Sequence, residues 1–525
     1  MSDPKAFPCA AGVIRSSPVA PGCIRRRTWV LTAAVLGSTL AFVDKSVVNV
    51  ALPAMEGNLR TSLVAMQWVV NAYTLCMSAL LLLGGAAADQ FGRRLIFIIG
   101  VSVFAAASVA CGLAPSVQFL IAARAIQGIG AALLIPCSLA LIGAAYEERD
   151  RGAAIGIWAG ASAVAAGVAP LLGGWLVDHS SWRVIFLINP LIAIATLWIT
   201  LRHVPESRNP DAPRGVDWRG ALLAVIGLGS LVYGLIESST LGWRNVLVIG
   251  SLAAGMLVLF AFALAERAGT SPMMPLGLFR SQRFSGVNLL TLLLYGALAA
   301  AFFFLPYLLI QARGYSATAA GAAYVPFTLV LGLLSRWSGR LGDKIGARRP
   351  LIVGPVLVAV GFVLLGSGEG SYWITLVSMT VLGFGMAAAV APLTTTVLNA
   401  VPPHSTGVAS GINNAIASVG GLLVIAILGS VALGAFDHFL DHELMSVHAS
   451  AAVTAAVDSA RGGLVVPTMP ASLSGQARQE THAIITDALT ITVRTAMWIA
   501  ALLALAAALT AALTIREDWR RREAD

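Results

Sequence analysis

The stretch Gly85-Ala86-Ala87-Ala88-Asp89-Gln90-Phe91-Gly92-Arg93-Arg94 returns in the second half of the chain as Gly339-Arg340-Leu341-Gly342-Asp343-Lys344-Ile345-Gly346-Ala347-Arg348-Arg349. Both copies read G-x-x-x-D-x-x-G followed by basic residues, and each fills a short polar break between two long apolar runs. The residue types suit a tight turn at a membrane rim. Glycines let neighbouring helices approach closely, a carboxylate can sit against a helix N-terminus, and arginines hold the loop to anionic headgroups. A repeat at such a separation implies two homologous bundles.

The rest of the chain agrees with a membrane setting. Of 525 residues, 58% are hydrophobic and only 11% charged, far from the roughly one-quarter charged content of soluble domains. Apolar runs fall at 29–53, 67–88, 95–114, 118–145, 153–177, 183–201, 220–239, 246–265, 285–310, 319–336, 350–367, 372–397, 408–435 and 489–514. Each can supply the roughly 20 helical residues that cross a bilayer core. Continuous rather than alternating hydrophobicity selects helices over a barrel, so the expected class is an all-α integral membrane protein with fourteen transmembrane helices.

An even number of spans puts both termini on one side. With that side as the cytoplasm, 25 of the 34 Lys and Arg residues fall on inner segments and 7 on outer ones, Lys45 and Arg124 lying within spans. The bias follows the positive-inside rule, and one missed span would reverse it for everything downstream. The expected segments are a cytoplasmic tail at 1–28, a six-helix bundle at 29–201 and a linker at 202–284 carrying two extra spans. A second six-helix bundle at 285–514, with an extracytoplasmic loop at 436–488, and a cytoplasmic tail at 515–525 complete the chain. Residues 1–28 lack the apolar core of a cleaved signal, and the five cysteines include no C-x-x-C pairing of metal type. Scattered clusters of Lys and Arg, rather than one basic face, argue against nucleic acid as a partner. His438 and His442, four apart in the 436–488 loop, have no fixed third ligand, so no metal site is assigned.

Ionisable residues inside spans are functional candidates by default. Asp44 lies nine residues before Pro53, roughly 14 Å from the outer end of the first span, and Arg124 lies roughly 9 Å below the same surface in the fourth. The two therefore sit at similar depth. Lys45 points about 100° away from Asp44 and shares a face with Asn49. It can serve as a second proton-switching group, anchor an anionic substrate, snorkel, or pair locally with Asp44. Glu237 falls near the outer end of a peripheral span and receives no transport role.

The repeated motif resembles the signature loop of the major facilitator superfamily. Phe42-Val-Asp44-Lys45-Ser-Val-Val-Asn49-Val-Ala-Leu-Pro53 is similar to the first-span motif of its fourteen-span drug:proton antiporters, the multidrug exporters. Arg124-Ala-Ile-Gln127-Gly128-Ile-Gly130 resembles their fourth-span motif, and Gly167-Val-Ala169-Pro170-Leu-Leu-Gly173-Gly174 their fifth-span antiporter motif, with Ala169 where glycine is usual. The resemblance implies the major facilitator fold, two six-helix bundles plus two inserted helices that rock about a central cavity. It also implies a cytoplasmic gate in which Asp89 faces the N-terminus of the thirteenth span, entered through Pro402-Pro403-His404-Ser405-Thr406.

The expected function is a proton-coupled antiporter exporting lipophilic drugs or toxic small molecules, with Asp44, Arg124 and Lys45 as the proton-coupling group. A static Asp44–Arg124 pair tying two helices together is the alternative role. Asn49, Gln67, Asn71, Tyr73, Gln127, Asn288, Gln311, Asn413 and Asn414 are expected at the substrate cavity or the bundle seam. Partners are protons, a small lipophilic substrate and membrane lipid. The setting is the bacterial cytoplasmic (inner) membrane, the proton gradient stands in place of a cofactor, and the chain works as a monomer with a periplasmic adaptor as an optional addition. Export of a lipid or endogenous metabolite, or a non-transporting sensor or scaffold, are the alternatives. The only lysines are Lys5, Lys45 and Lys344, none after a glycine, which excludes an ATP-binding phosphate loop, and no catalytic cluster suggests an enzyme.

Overall fold

The computed structural model describes residues 21–208, 217–269, 272–367, 371–402, 405–446, 450–467 and 473–515. Among these, fourteen helices are long and apolar enough to cross a membrane: Arg27–Leu59, Leu63–Phe91, Arg93–Gly112, Val117–Ala145, Arg149–His179, Val184–His203, Trp218–Leu241, Val246–Ala268, Gln282–Ala312, Ala317–Leu334, Arg348–Ser367, Tyr372–Asn399, Thr406–Met445 and Gly475–Thr514. They are referred to below as spans one to fourteen. No strand occurs among the described residues. The face of the bundle holding Arg27 and Thr514 is called the terminal side, and the opposite face the far side.

Polar residues at the span starts explain where helices begin. Ser62, Ser116, Ser281 and Ser474 each accept a hydrogen bond at Oγ from the N–H three residues on, and Asp217 does the same for Gly220. Each satisfies one of the N–H groups that a first turn leaves open. Spans one to six form one bundle and spans nine to fourteen another, related by a shift of eight spans. The repeated motif obeys that shift, standing after spans two and ten. The contacts between bundles obey it too, since span two meets span thirteen where its counterpart, span ten, meets span five.

Lipid offers little hydrophobic drive for helix association, so close approach through small residues carries much of the packing. Gly128 of span four lies so near span two that a Cβ would stand 2.4 Å from the Tyr73 carbonyl oxygen. Span seven lies against spans two and thirteen, and span eight packs on span seven. Much of the segment 436–488 is helical. Span thirteen continues as helix to Ser446, a short helix follows at Ala451–Asp458, and helix resumes at Gly475. Hydropathy marks where a helix leaves hydrocarbon, not where its hydrogen bonding stops, and the polar sequence after 435 extends the helix into water. Arg461 ties this extension together, donating to Asp458 at 2.8 Å and Asp441 at 2.5 Å. Those carboxylates, Asp458 foremost, hold its guanidinium above its ordinary pKa against the opposing effect of burial.

Candidate functional site

Asp44 and Arg124 meet. Arg124 Nη1 donates to Asp44 Oδ2 at 2.5 Å, and the two residues are 1% and 0% exposed respectively, so water reaches neither. The other carboxylate oxygen, Oδ1, accepts from Gln127 Nε2 at 2.9 Å and Asn189 Nδ2 at 3.1 Å. Gln127 also accepts from Arg124 Nη1 at 2.7 Å, and Asn189 donates to Ser108 Oγ at 3.0 Å. Arg124 Nε reaches the Val69 carbonyl at 3.2 Å, while the guanidinium lies 4.2 Å above the Tyr73 ring. Burying an ion pair is tolerable only when most of its remaining donors and acceptors are filled, and this network, drawn from spans one, two, three, four and six, fills both carboxylate oxygens and leaves Asn189 Oδ1 without a partner among the described residues. Chemically it is a carboxylate held by three donors, one of them cationic. Asn189 and Ser108 were missed from sequence, although Asn189 announces itself as an amide before Pro190 in an otherwise apolar run.

Lys45 takes the other direction. Its side chain is exposed although protein surrounds it, as befits a group on an internal cavity, and Asn49 one turn away is half-buried. It does not pair with Asp44, whose oxygens are taken. Of the other residues expected at the cavity, Asn414 is exposed, but most serve seams. Gln67 donates to the Ile425 carbonyl of span thirteen at 2.8 Å. Asn288 and Asn413 bond each other at 3.0 Å within the second bundle, and Gln311 accepts from the Val466 N–H at 3.1 Å. Tyr73 and Gln127 belong to the Asp44 network, and Asn71 is fully buried with neither amide atom partnered among the described residues. Of the two placements expected, cavity or bundle seam, Gln67 takes the seam, and Asn288 and Asn413 bond across a helix pair, as side-chain amides in an apolar surround do.

The antiporter motif forms the far-side contact between bundles. A Cβ on Gly174 would stand 2.1 Å from the Ala317 carbonyl oxygen, and one on Gly321 2.1 Å from that of Pro170. Gly167 abuts the Thr328 side chain across the same contact, and Gly173 abuts Val47 of span one within the first bundle. Asp178, one turn beyond, accepts from Ala317 N at 3.0 Å and Thr318 N at 2.7 Å, a carboxylate placed on the opening N–H groups of span ten. Span one closes the same side through Glu56, 2% exposed, which accepts from Tyr307 Oη at 2.7 Å and Leu464 N at 2.9 Å. Toward the terminal side, Gly152, Gly156 and Gly160 of span five and Gly332 of span ten have nothing within 4 Å of a built Cβ. Spans five and ten are joined on the far side and part toward the terminal side, while spans two and thirteen stay in contact in that half, Leu82 lying against Gly411.

The terminal-side motif accordingly stands open. Asp89 does not face span thirteen here; its Oδ1 pairs with Arg93 at 2.8 Å, which corrects the expected gate for this state. The carboxylate at the start of span three is instead Glu206, accepting from Arg94 N at 3.0 Å and Leu95 N at 3.1 Å. Gly92 makes the turn with φ of +124°, a region that favours glycine. Gly85 meets only the Pro136 Cβ, at 3.7 Å. In the second copy Gly346 has φ of +85°, Arg348 donates to the Ala512 carbonyl at 3.0 Å, and Arg349 is exposed. The side chains of Gly339 and Asp343, with Pro403 and His404, lie outside the described residues.

Comparison with known proteins matches residues 34–425 to the Major Facilitator Superfamily. The multidrug resistance protein Stp of Mycobacterium tuberculosis is 37% identical over 409 residues, 77% of this chain and 76% of that protein. The cephamycin export protein CmcT of Amycolatopsis lactamdurans is 35% identical over 450 residues, 84% and 92% of the two chains. Among solved structures, a bacterial homologue of the human lysosomal transporter Spinster, in an inward-facing and unoccupied conformation, aligns with a TM-score of 0.65 at 19% identity, covering 94% of this chain and 99% of that one.

Proposed function

Because the chain belongs to the major facilitator superfamily and is thus a multi-pass membrane transporter rather than an enzyme, we propose that it is a proton-coupled antiporter exporting lipophilic drugs from the bacterial cytoplasm. The observation that carries this reading is the buried Asp44–Arg124 pair with its Gln127 and Asn189 supports. The drug-resistance and export relatives support the direction of transport. The terminal side is the cytoplasm, as the distribution of Lys and Arg argues, so the arrangement described is the cytoplasm-facing state. In the cycle, cargo enters from that side. The far-side contacts of spans five and ten then part, and a proton arriving from outside displaces Arg124 from Asp44 as cargo leaves. The proton gradient supplies the energy.

Inverted membrane vesicles test this directly. A lipophilic dye should accumulate only while a pH gradient stands, its addition should release protons, and Asp44→Asn should abolish that release. Drug-driven proton release that survives Asp44→Asn removes the coupling role, and dye accumulation indifferent to the gradient removes antiport.

A further inference from the structure

Of the carboxylates within the spans away from the Arg461 cluster, Asp89 and Asp150 pair with Arg93 and Arg27, Glu480 and Asp487 toward the far-side start of span fourteen make no ion pair or hydrogen bond among the described residues, and the other five are occupied. Asp44 holds Arg124, Glu56 accepts from Tyr307 and Leu464, Asp178 from Ala317 and Thr318, Glu237 from Trp68 and Thr240, and Glu266 from Met274. Lys45 is different. It has neither ion pair nor hydrogen bond among the described residues. It lies 18 residues from Arg27 and 14 from Leu59, so about 27 Å and 21 Å of helix separate it from the two ends of its span. That is too deep for its stem to reach either headgroup layer while pointing inward.

The remaining roles can be weighed against one another. Pairing with Asp44 fails, because that carboxylate is turned away and held by three donors. A proton switch needs a charged group that approaches and withdraws, and none of the five occupied acids is free to face Lys45. An unpaired ammonium inside a membrane protein is stabilised when something anionic or strongly polar meets it. A cavity wall with one mobile cation and no free carboxylate opposite carries positive potential, which draws anions and repels cations.

We infer that Lys45 is the anchor for an acidic group on the cargo, so that the molecules exported include lipophilic carboxylates bound in their ionised form. Asn49, one turn along the same face, offers an amide beside the anchored group. The inference rests on the exporter reading only for the fate of the bound molecule; binding itself is measured separately.

Rhodamine 110, a free carboxylic acid, and rhodamine 123, its methyl ester, differ only at the group in question. Their equilibrium binding to the purified full chain in phosphatidylcholine nanodiscs can be read by fluorescence anisotropy. The wild type should bind the acid at least as tightly as the ester. Lys45→Met should lower the acid-to-ester affinity ratio by about tenfold or more, the expected loss of one charge-assisted contact, and Lys45→Arg should keep most of it. Because both dyes are measured on the same protein, a loss of folded material cancels from the ratio. A wild type that does not bind the acid, or a ratio that Lys45→Met leaves in place, overturns the inference. So does phosphatidylglycerol displacing the acid in a Lys45-dependent way, since the ammonium would then serve a lipid headgroup. None of these outcomes touches gradient-driven dye export, whose failure in vesicles would count against the transporter cycle instead.

Discussion

Gly174→Ala should drive the protein out of the state described here. The added methyl would stand 2.1 Å from the Ala317 carbonyl oxygen and 2.5 Å from its carbon, about 0.9 Å inside the 3.0 Å that real Cβ atoms keep. Both sides of the contact are backbone, so neither can yield by a rotamer change. Overpacking of this kind is destabilising by about 1–3 kcal/mol. The penalty falls only on the conformation in which spans five and ten touch, whereas the gain in helix propensity from losing glycine is common to both conformations and cancels. A differential of 1–3 kcal/mol is a shift of about 5- to 150-fold in the equilibrium between far-side-closed and far-side-open forms. The readout is a cysteine at position 49, on the cavity, in a chain whose five native cysteines have been replaced. A membrane-impermeant thiol reagent should label Asn49→Cys mainly from the terminal side, and Gly174→Ala should raise far-side labelling by at least about fivefold. Gly321→Ala should act alike, its methyl meeting the Pro170 carbonyl, while Gly156→Ala, with nothing within 4 Å, should do nothing. Far-side labelling that stays flat in both glycine variants, or rises equally for Gly156→Ala, would refute the argument.

Two further outcomes follow from carboxylates that sequence did not reveal. Glu56→Ala leaves the Tyr307 hydroxyl and the Leu464 N–H without their acceptor, at about 1–3 kcal/mol for each buried group. Hydrogen exchange at Leu464 should therefore quicken by about tenfold or more. Glu56→Gln should stay near wild type, because a tyrosine hydroxyl can also accept from the new amide; equal acceleration in both would point to charge, not geometry. Glu206→Ala uncaps span three, for which about 0.5–2 kcal/mol is expected, so exchange at Arg94 and Leu95 should rise by about two- to thirtyfold. Unchanged protection at those two amides would mean that other groups cap the helix.

What could be read beforehand was whatever hydrophobicity and isolated charge express on their own. The fourteen spans lie where the apolar runs put them, and Asp44 and Arg124 stand out because an ionised group in a lipid-length helix has few explanations. The partners of those groups were less accessible. Glu56 sits three residues from the end of its span, where an acid is ordinarily solvated, and its burial comes from Leu464, some 400 positions away. Glu206 lies in a polar linker that looks like any other cytoplasmic loop until Gly92 brings the start of span three beside it. The amides stayed open between cavity and seam for a related reason: composition shows that Gln67 and Asn288 must find a partner, but not whether it is another helix or a cargo. A gate of the kind expected at Asp89 forms in only one of two alternating conformations, and no single sequence feature selects between them.

Span seven bridges the two bundles. Near its far-side end, Ser238 shares a hydrogen bond of 2.8 Å with Ser430 of span thirteen, and Glu237 accepts from Trp68 of span two at 3.3 Å. One inserted helix thus grips both lobes at the same height, like a rivet through two leaves. Any swing of the lobes must pivot close to that rivet or shear it. With span eight behind it, the same helix covers the seam between the two lobes on that flank.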